Sequence, residues 1–264
     1  MRRQAVWLGV LLCVFSSAVF GESNKEKQDK LSEYLSGVTQ RGRALYEYDQ
    51  AAWHGTDAFL ALNPDKKDLT HYICKKINNG WTVYFGKWNE KHDRLLVSYE
   101  ATQIGGSQYK ARKYDPPQES SDDLNAMEWA IETALADFGS VTRSYNTAIL
   151  PAPDNQLFVY LYPGQTVTGI FPLGGDVRYT ISADGKKIVE KRQLHKTILD
   201  MDFKVQQGKE IAAGYHVHIL SDVPEDTDVL YVLNRVPQIP EYVGTQHGGI
   251  FVINTDGSIA ISKK

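Results

Sequence analysis

The run G-Y-H-V-H-I-L at residues 214–220, followed by S-D-V-P-E-D-T-D-V-L-Y-V-L, constrains this chain's fold more than any other stretch. β-formers dominate the first part. Side chains alternate along a strand, so His216 and His218 share one face. Pro224 then marks a turn, and Asp226 or Thr227 caps a short helix over residues 229–233. Asp228 falls in the first helical turn, where the positive helix end favours a carboxylate. Strand, turn and helix thereby bring His216, His218 and Asp228 together. Three such ligands can hold zinc and leave a fourth position for water, as catalytic zinc sites do. His247, in T-Q-H-G-G, is a reserve ligand, and His195 ends a hairpin strand that can bring it to the same pair. The same residues also suit two histidines hydrogen-bonded to carboxylates with no ion between them.

The segment resembles the metal-binding motif of the JAMM (MPN-type) metallopeptidase superfamily, including its small bacterial relatives of unknown function. There H-x-H ends a strand, and a Ser and then an Asp follow after a short interval. The resemblance covers about the last half of the chain. It implies a mixed α/β domain, zinc held by His216, His218 and Asp228, and hydrolysis of a peptide or isopeptide-like bond. This chain departs from the motif at three places. Glu225 stands where the Ser is expected, and Ile219 follows the second histidine in place of Pro. The strand V-T-R-S-Y-N-T-A-I-L has no carboxylate for the upstream general base. By elimination, Glu225 or Glu132 would handle the proton. Two functions remain open: a zinc hydrolase, or a binding module that kept the fold and lost the chemistry.

Residues 1–21 read as an export signal: Arg2 and Arg3, an apolar run over residues 5–15, then small residues up to Gly21. The expected location is the periplasm or the exterior, with no stable membrane insertion after cleavage. Without Arg2 and Arg3 the formal charge moves from −3 to −5 (−3 − 2). That mild acidity excludes nucleic acid as the expected partner and leaves a protein or peptide. Cys74 would be the one remaining cysteine, with no intramolecular disulfide available. A buried thiol beside Ile73 and Ile77 is the expectation, against a nucleophile paired with His71.

The expected fold class is α+β, with residues 22–118 as a helical and hairpin region and 119–264 as the JAMM-like domain. Apolar spacing gives helix over residues 31–62, with Gly37 and Gly42 as candidate breaks. Asp49, Trp53 and Asp57 share a helix face, read as surface charges around a docked tryptophan. Residues 68–76 read as a short helix or irregular piece. W-T-V-Y-F and R-L-L-V-S-Y-E-A form an aromatic hairpin packing Trp81, Val83 and Phe85 under the helix. Gly105-Gly106 and K-Y-D-P-P-Q-E-S-S-D-D read as a linker. Asp122 or Asp123 then caps a helix ended by Gly139, with Glu128 and Glu132 on its exposed face. They are one turn apart and can also bind a metal together. Short strands fill residues 140–205, including a hairpin through A-D-G-K.

Overall fold

A computed structural model describes residues 23–65, 71–203 and 210–262. The expected export segment, residues 1–21, lies outside the described residues. No helix among the described residues is long and apolar enough to cross a membrane.

The fold is α+β, as expected, and its spine is one helix. Helix α1 runs unbroken over Asn24–Leu60, with the Ser23 hydroxyl accepting a hydrogen bond from the Glu26 N–H at 3.2 Å. At ~1.5 Å per residue it is about 55 Å long, long enough to serve two cores. Its buried stripe runs Leu35, Val38, Gly42, Leu45, Tyr48, Ala51, Gly55, Phe59. Gly37 and Gly42 do not break it, which corrects the expectation of two helices. A Cβ at Gly42 would lie 2.4 Å from Val229 Cβ and 2.7 Å from the Asp226 carbonyl oxygen. The residue is small because another helix crosses there.

The carboxy-terminal half of α1 packs on a four-stranded antiparallel sheet. Its strands are β1 (His71–Ile77), β2 (Gly80–Trp88), β3 (Leu95–Gly105) and β4 (Gln108–Glu119), in that order. Trp81, Val83 and Phe85 are buried as expected, with Tyr48 edge-on to Trp81 and Phe59 stacked on Phe85. Two expectations fail here. Of the stretch 68–76, residues 71–76 are strand, not helix or irregular, and residues 68–70 lie outside the described residues. The expected linker is largely β4, an edge strand where Pro116 and Pro117 cost few ladder bonds. Cys74 is buried, and burial pushes its thiol well above the ordinary value, as a packing residue requires.

Helix α2 (Asp122–Phe138) has Ser121 at its N-cap, not Asp122 or Asp123, and ends at Gly139. It packs on a second antiparallel sheet of β5 (Tyr145–Pro151), β6 (Leu157–Pro163), β8 (Val177–Ile181) and β9 (Ile188–Gln193), ordered β5-β6-β8-β9. β7 (Ile170–Gly174) pairs instead with β10 (Ile198–Asp202). One apolar cluster joins Leu45, Tyr48 and Val83 to Ile131, Tyr160 and Tyr179. The core therefore runs across the expected boundary between residues 118 and 119.

The third sheet is β11 (Gly214–His218), β12 (Glu241–Thr245), β13 (Ile250–Ile253) and β14 (Ile259–Ile261). β11 and β12 are parallel, joined through helix α3 (Asp226–Asn234), and the other pairs are antiparallel. The amino-terminal half of α1 closes a second core here, with Leu35 and Val38 against Val229, Val232, Val243 and Phe251. Asp49 is no surface charge: its carboxylate accepts from Tyr162 Oη at 2.8 Å and Asn234 Nδ2 at 2.9 Å. Trp53 is exposed and stacks on His54 instead of docking.

Candidate metal centre

β11 alternates as its sequence requires, with Gly214, His216 and His218 inward and Tyr215 and Val217 outward. α3 begins with Glu225 as its N-cap residue, not Asp226 or Thr227. The Glu225 N–H donates to Asp228 Oδ2 at 2.7 Å, which fixes the Asp228 side chain at the positive helix end. His195 follows β9 and enters from the second sheet. Its loop crosses β7 closely at Gly174, whose φ is +85°. A Cβ there would lie 2.4 Å from the Thr197 carbonyl oxygen and 3.1 Å from His195 Cβ. Only glycine tolerates both conditions.

Four ligand atoms meet at one point. His195 Nε2 is 2.9 Å from His218 Nε2, and His216 Nε2 is 3.1 Å from His218 Nε2. Asp228 Oδ1 is 3.1 Å from both His195 Nε2 and His216 Nε2, and Oδ2 is 3.1 Å from His218 Nε2. A zinc–nitrogen bond of about 2.0 Å sets the ligand atoms of a tetrahedron about 3.3 Å apart. The four side chains are all buried, and Asp228 is fully so. Apart from these imidazoles, Asp228 Oδ1 has no hydrogen-bond partner among the described residues. This group of His195, His216, His218 and Asp228 can hold a metal ion.

The outer contacts decide which ring nitrogen points inward. His195 Nδ1 is 2.7 Å from Asp176 Oδ1, His216 Nδ1 is 2.8 Å from Glu241 Oε1, and His218 Nδ1 is 2.9 Å from the Val223 carbonyl oxygen. These partners only accept, so each Nδ1 carries the proton, and each neutral ring turns an Nε2 lone pair inward. Carboxylates and carbonyls behind metal-bound imidazoles play this orienting part in metalloproteins generally. Glu241 is held in turn by Arg235, both fully buried.

Without an ion, three lone pairs and a carboxylate repel one another, and protons are the substitute. Burial opposes charge on His195, yet Asp176 and Asp228 outweigh it and raise its pKa well above the ordinary value. His216 is pushed up to about 9, burial again being outweighed by the attraction of Asp228. Burial alone would raise Asp228, but the three surrounding imidazoles hold it well below the usual carboxylate range.

The structure therefore unites His216, His218 and Asp228 as expected and adds His195 as a fourth donor. His195 carries no local signal in the sequence, only its position at a hairpin end. The reserve ligand His247 is exposed, and its ring lies 3.3 Å from Asp222 Oδ1. Neither expected proton carrier is one of the four ligands. Glu225 is pinned against Arg192, with burial pushing its carboxyl up to about 7 against the pull of that guanidinium. Glu132 belongs to a different group, with Trp88 and His92. A cavity of about 40 Å³ touches His195, His216 and His218, beside Gly174 and Leu220, and no carboxylate among the described residues lines it.

Searches of protein-family models, curated proteins and solved structures return no match for this chain.

Proposed function

We propose that the protein is a metal-binding module whose zinc ion has a structural role. His195, His216 and His218 through Nε2, and Asp228 through its carboxylate, would complete a closed four-ligand shell. The observation that carries this reading is the convergence of four protein ligand atoms, three of them oriented by acceptors behind the ring. Closed protein shells are the mark of structural zinc, whereas catalytic sites keep a position for water. Three imidazoles with a carboxylate suit zinc among the common divalent ions. The ion would tie the His195 loop of the second sheet to β11 and α3 of the third. Export, expected from the apolar run over residues 5–15, remains part of this reading, with a protein or peptide as the partner.

The zinc-hydrolase reading, with its likeness to the JAMM motif, draws on the cavity beside the three histidines, which has room for roughly one water as a fifth ligand. It lacks a base. Glu225 Oε1 is paired with Arg192 and Glu132 with Trp88 and His92, and among the described residues the cavity wall offers no carboxylate. The structural role is the better supported.

The test is zinc-dependent melting as a function of pH. The raised histidine pKa values stabilise the metal-free protein below the unfolded value of about 6.5. That stabilisation fades as pH rises towards about 9, where His216 loses its proton. Zinc must displace the same protons, so its affinity grows over the same range. The gap in Tm between zinc-loaded and metal-free protein is expected to widen steadily from pH 6 to pH 9. A gap that is absent, or that narrows with rising pH, contradicts the proposal.

A further inference from the structure

The second core holds the ion proposed above; the first core has a separate group of the same kind of side chain. His71 is the first residue of β1. Glu128 and Glu132 lie one turn apart on α2, and His92 sits in the loop between β2 and β3. Glu128 and Glu132 do not form an exposed face, which corrects the sequence-based expectation. Glu128 is fully buried, and the Glu132 side chain is only 25% exposed.

We propose that His71, Glu128 and Glu132 form a second divalent-cation site, with His92 at its rim. One ligand atom from each of His71, Glu128 and Glu132 falls within 4.8 Å of the others, inside the span of one coordination sphere. His71 Nδ1 meets Glu128 Oε1, and His71 Nε2 lies 4.0 Å from Glu132 Oε1. His92 Nε2 is 3.0 Å from Glu132 Oε2.

Two further observations point to a ligand. First, Glu128 Oε2 is buried and has no hydrogen-bond partner among the described residues. A buried carboxylate with an unanswered oxygen is costly, and a second carboxylate one turn away adds repulsion. Protonating His71 offsets the charge of Glu128, and protonating His92 that of Glu132. A divalent ion answers both carboxylates at once. Second, Glu132 is held in place before any ion arrives. Trp88 Nε1 donates to Glu132 Oε1 at 2.6 Å. Trp88, Trp129 and His92 pack together with centroids 4.8–5.0 Å apart, so the ring of His92 is fixed as well.

The chemistry differs from that of the first site. Two carboxylates with one or two imidazoles form a harder donor set, suited to manganese or zinc. The His71 side chain is 24% exposed and that of His92 is 50% exposed, so solvent reaches the group and water completes the coordination. This ion exchanges readily, whereas the first is enclosed.

The two sites are separable by titrating full-length protein with zinc and counting equivalents by mass spectrometry after equilibrium dialysis. The parent is expected to bind two equivalents, Glu132→Gln one, and Glu132→Gln with His216→Ala none. Glutamine keeps the volume of Glu132 and still accepts from Trp88, so the fold is retained. If the first site is absent, His216→Ala changes nothing while Glu132→Gln still removes an equivalent. A second readout is manganese quenching of tryptophan emission from Trp88 and Trp129, expected in the parent and at least several-fold weaker in Glu132→Gln. Zinc stoichiometry and quenching that are both unchanged by Glu132→Gln overturn the proposal.

Discussion

Replacing Asp228 by Ala is expected to abolish tight zinc binding and lower the unfolding free energy by about 4 kcal/mol or more. Two effects combine. A ligand present at a thousand times its Kd stabilises the native state by about 4 kcal/mol, and that contribution vanishes with the ion. The substitution also leaves His195, His216 and His218 facing one another in a buried space with no carboxylate between them. The Glu225 N–H loses its acceptor at the start of α3 as well. Chelation of the parent should reproduce the first effect but not the second, so the variant melts below the chelated parent. His247→Ala is the control: its ring is exposed and, among the described residues, paired only with Asp222, so metal content and Tm stay unchanged. Denaturant melts with and without chelator measure both quantities. A variant that melts with the chelated parent, or retains zinc, contradicts the account.

Asp226→Ala is the second large effect, and it is independent of metal. Asp226 is fully buried at the start of α3 and gathers three donors from three elements. Arg41 of α1 reaches it through Nε, 3.0 Å from both carboxylate oxygens, and through Nη2 at 2.9 Å from Oδ1. Arg178 Nη1 of β8 lies 2.7 Å from Oδ2, and Tyr160 Oη of β6 donates to the same oxygen at 2.8 Å. Truncation strands the largely buried Arg178 guanidinium, which stacks on Phe158 but has no other carboxylate partner among the described residues. Breaking a buried pair in this way costs about 3–5 kcal/mol. Adding Arg178→Met should recover part of the loss, because the stranded charge is then gone. A single-variant cost below about 1 kcal/mol, or no recovery in the double variant, would show that this junction does not hold the helices and sheets together.

The strand–turn–helix unit was legible in the sequence because it is local. Period-two alternation placed His216 and His218 on one face, and the helix start put Asp228 opposite them. What made the site complete was not local. His195 lies on a loop from another sheet, and its neighbour Asp176 approaches through β8, so no spacing pattern records either contact. The helix-breaking reading of Gly42 failed for a related reason: glycine there answers a crossing helix 187 residues away (229 − 42), not a local turn. Glu128 and Glu132 looked like a solvent face because both are charged. They are covered because β1, expected to be a short helix or irregular, is a strand that brings His71 against them. The two prolines at 116 and 117 suggested a linker, but an edge strand has one side where missing N–H groups cost nothing.

If His195, His216, His218 and Asp228 hold one ion, the metal-to-protein ratio of the purified chain reads it. The protein would be purified without a histidine tag or chelator, passed through gel filtration to remove weakly held ions, and measured by mass spectrometry. Close to one zinc per chain is expected to be retained, and to be lost in His195→Ala as well as in His216→Ala. Metal-free protein whose Tm does not respond to added zinc would contradict it, and would make these residues a proton-sharing histidine cluster instead.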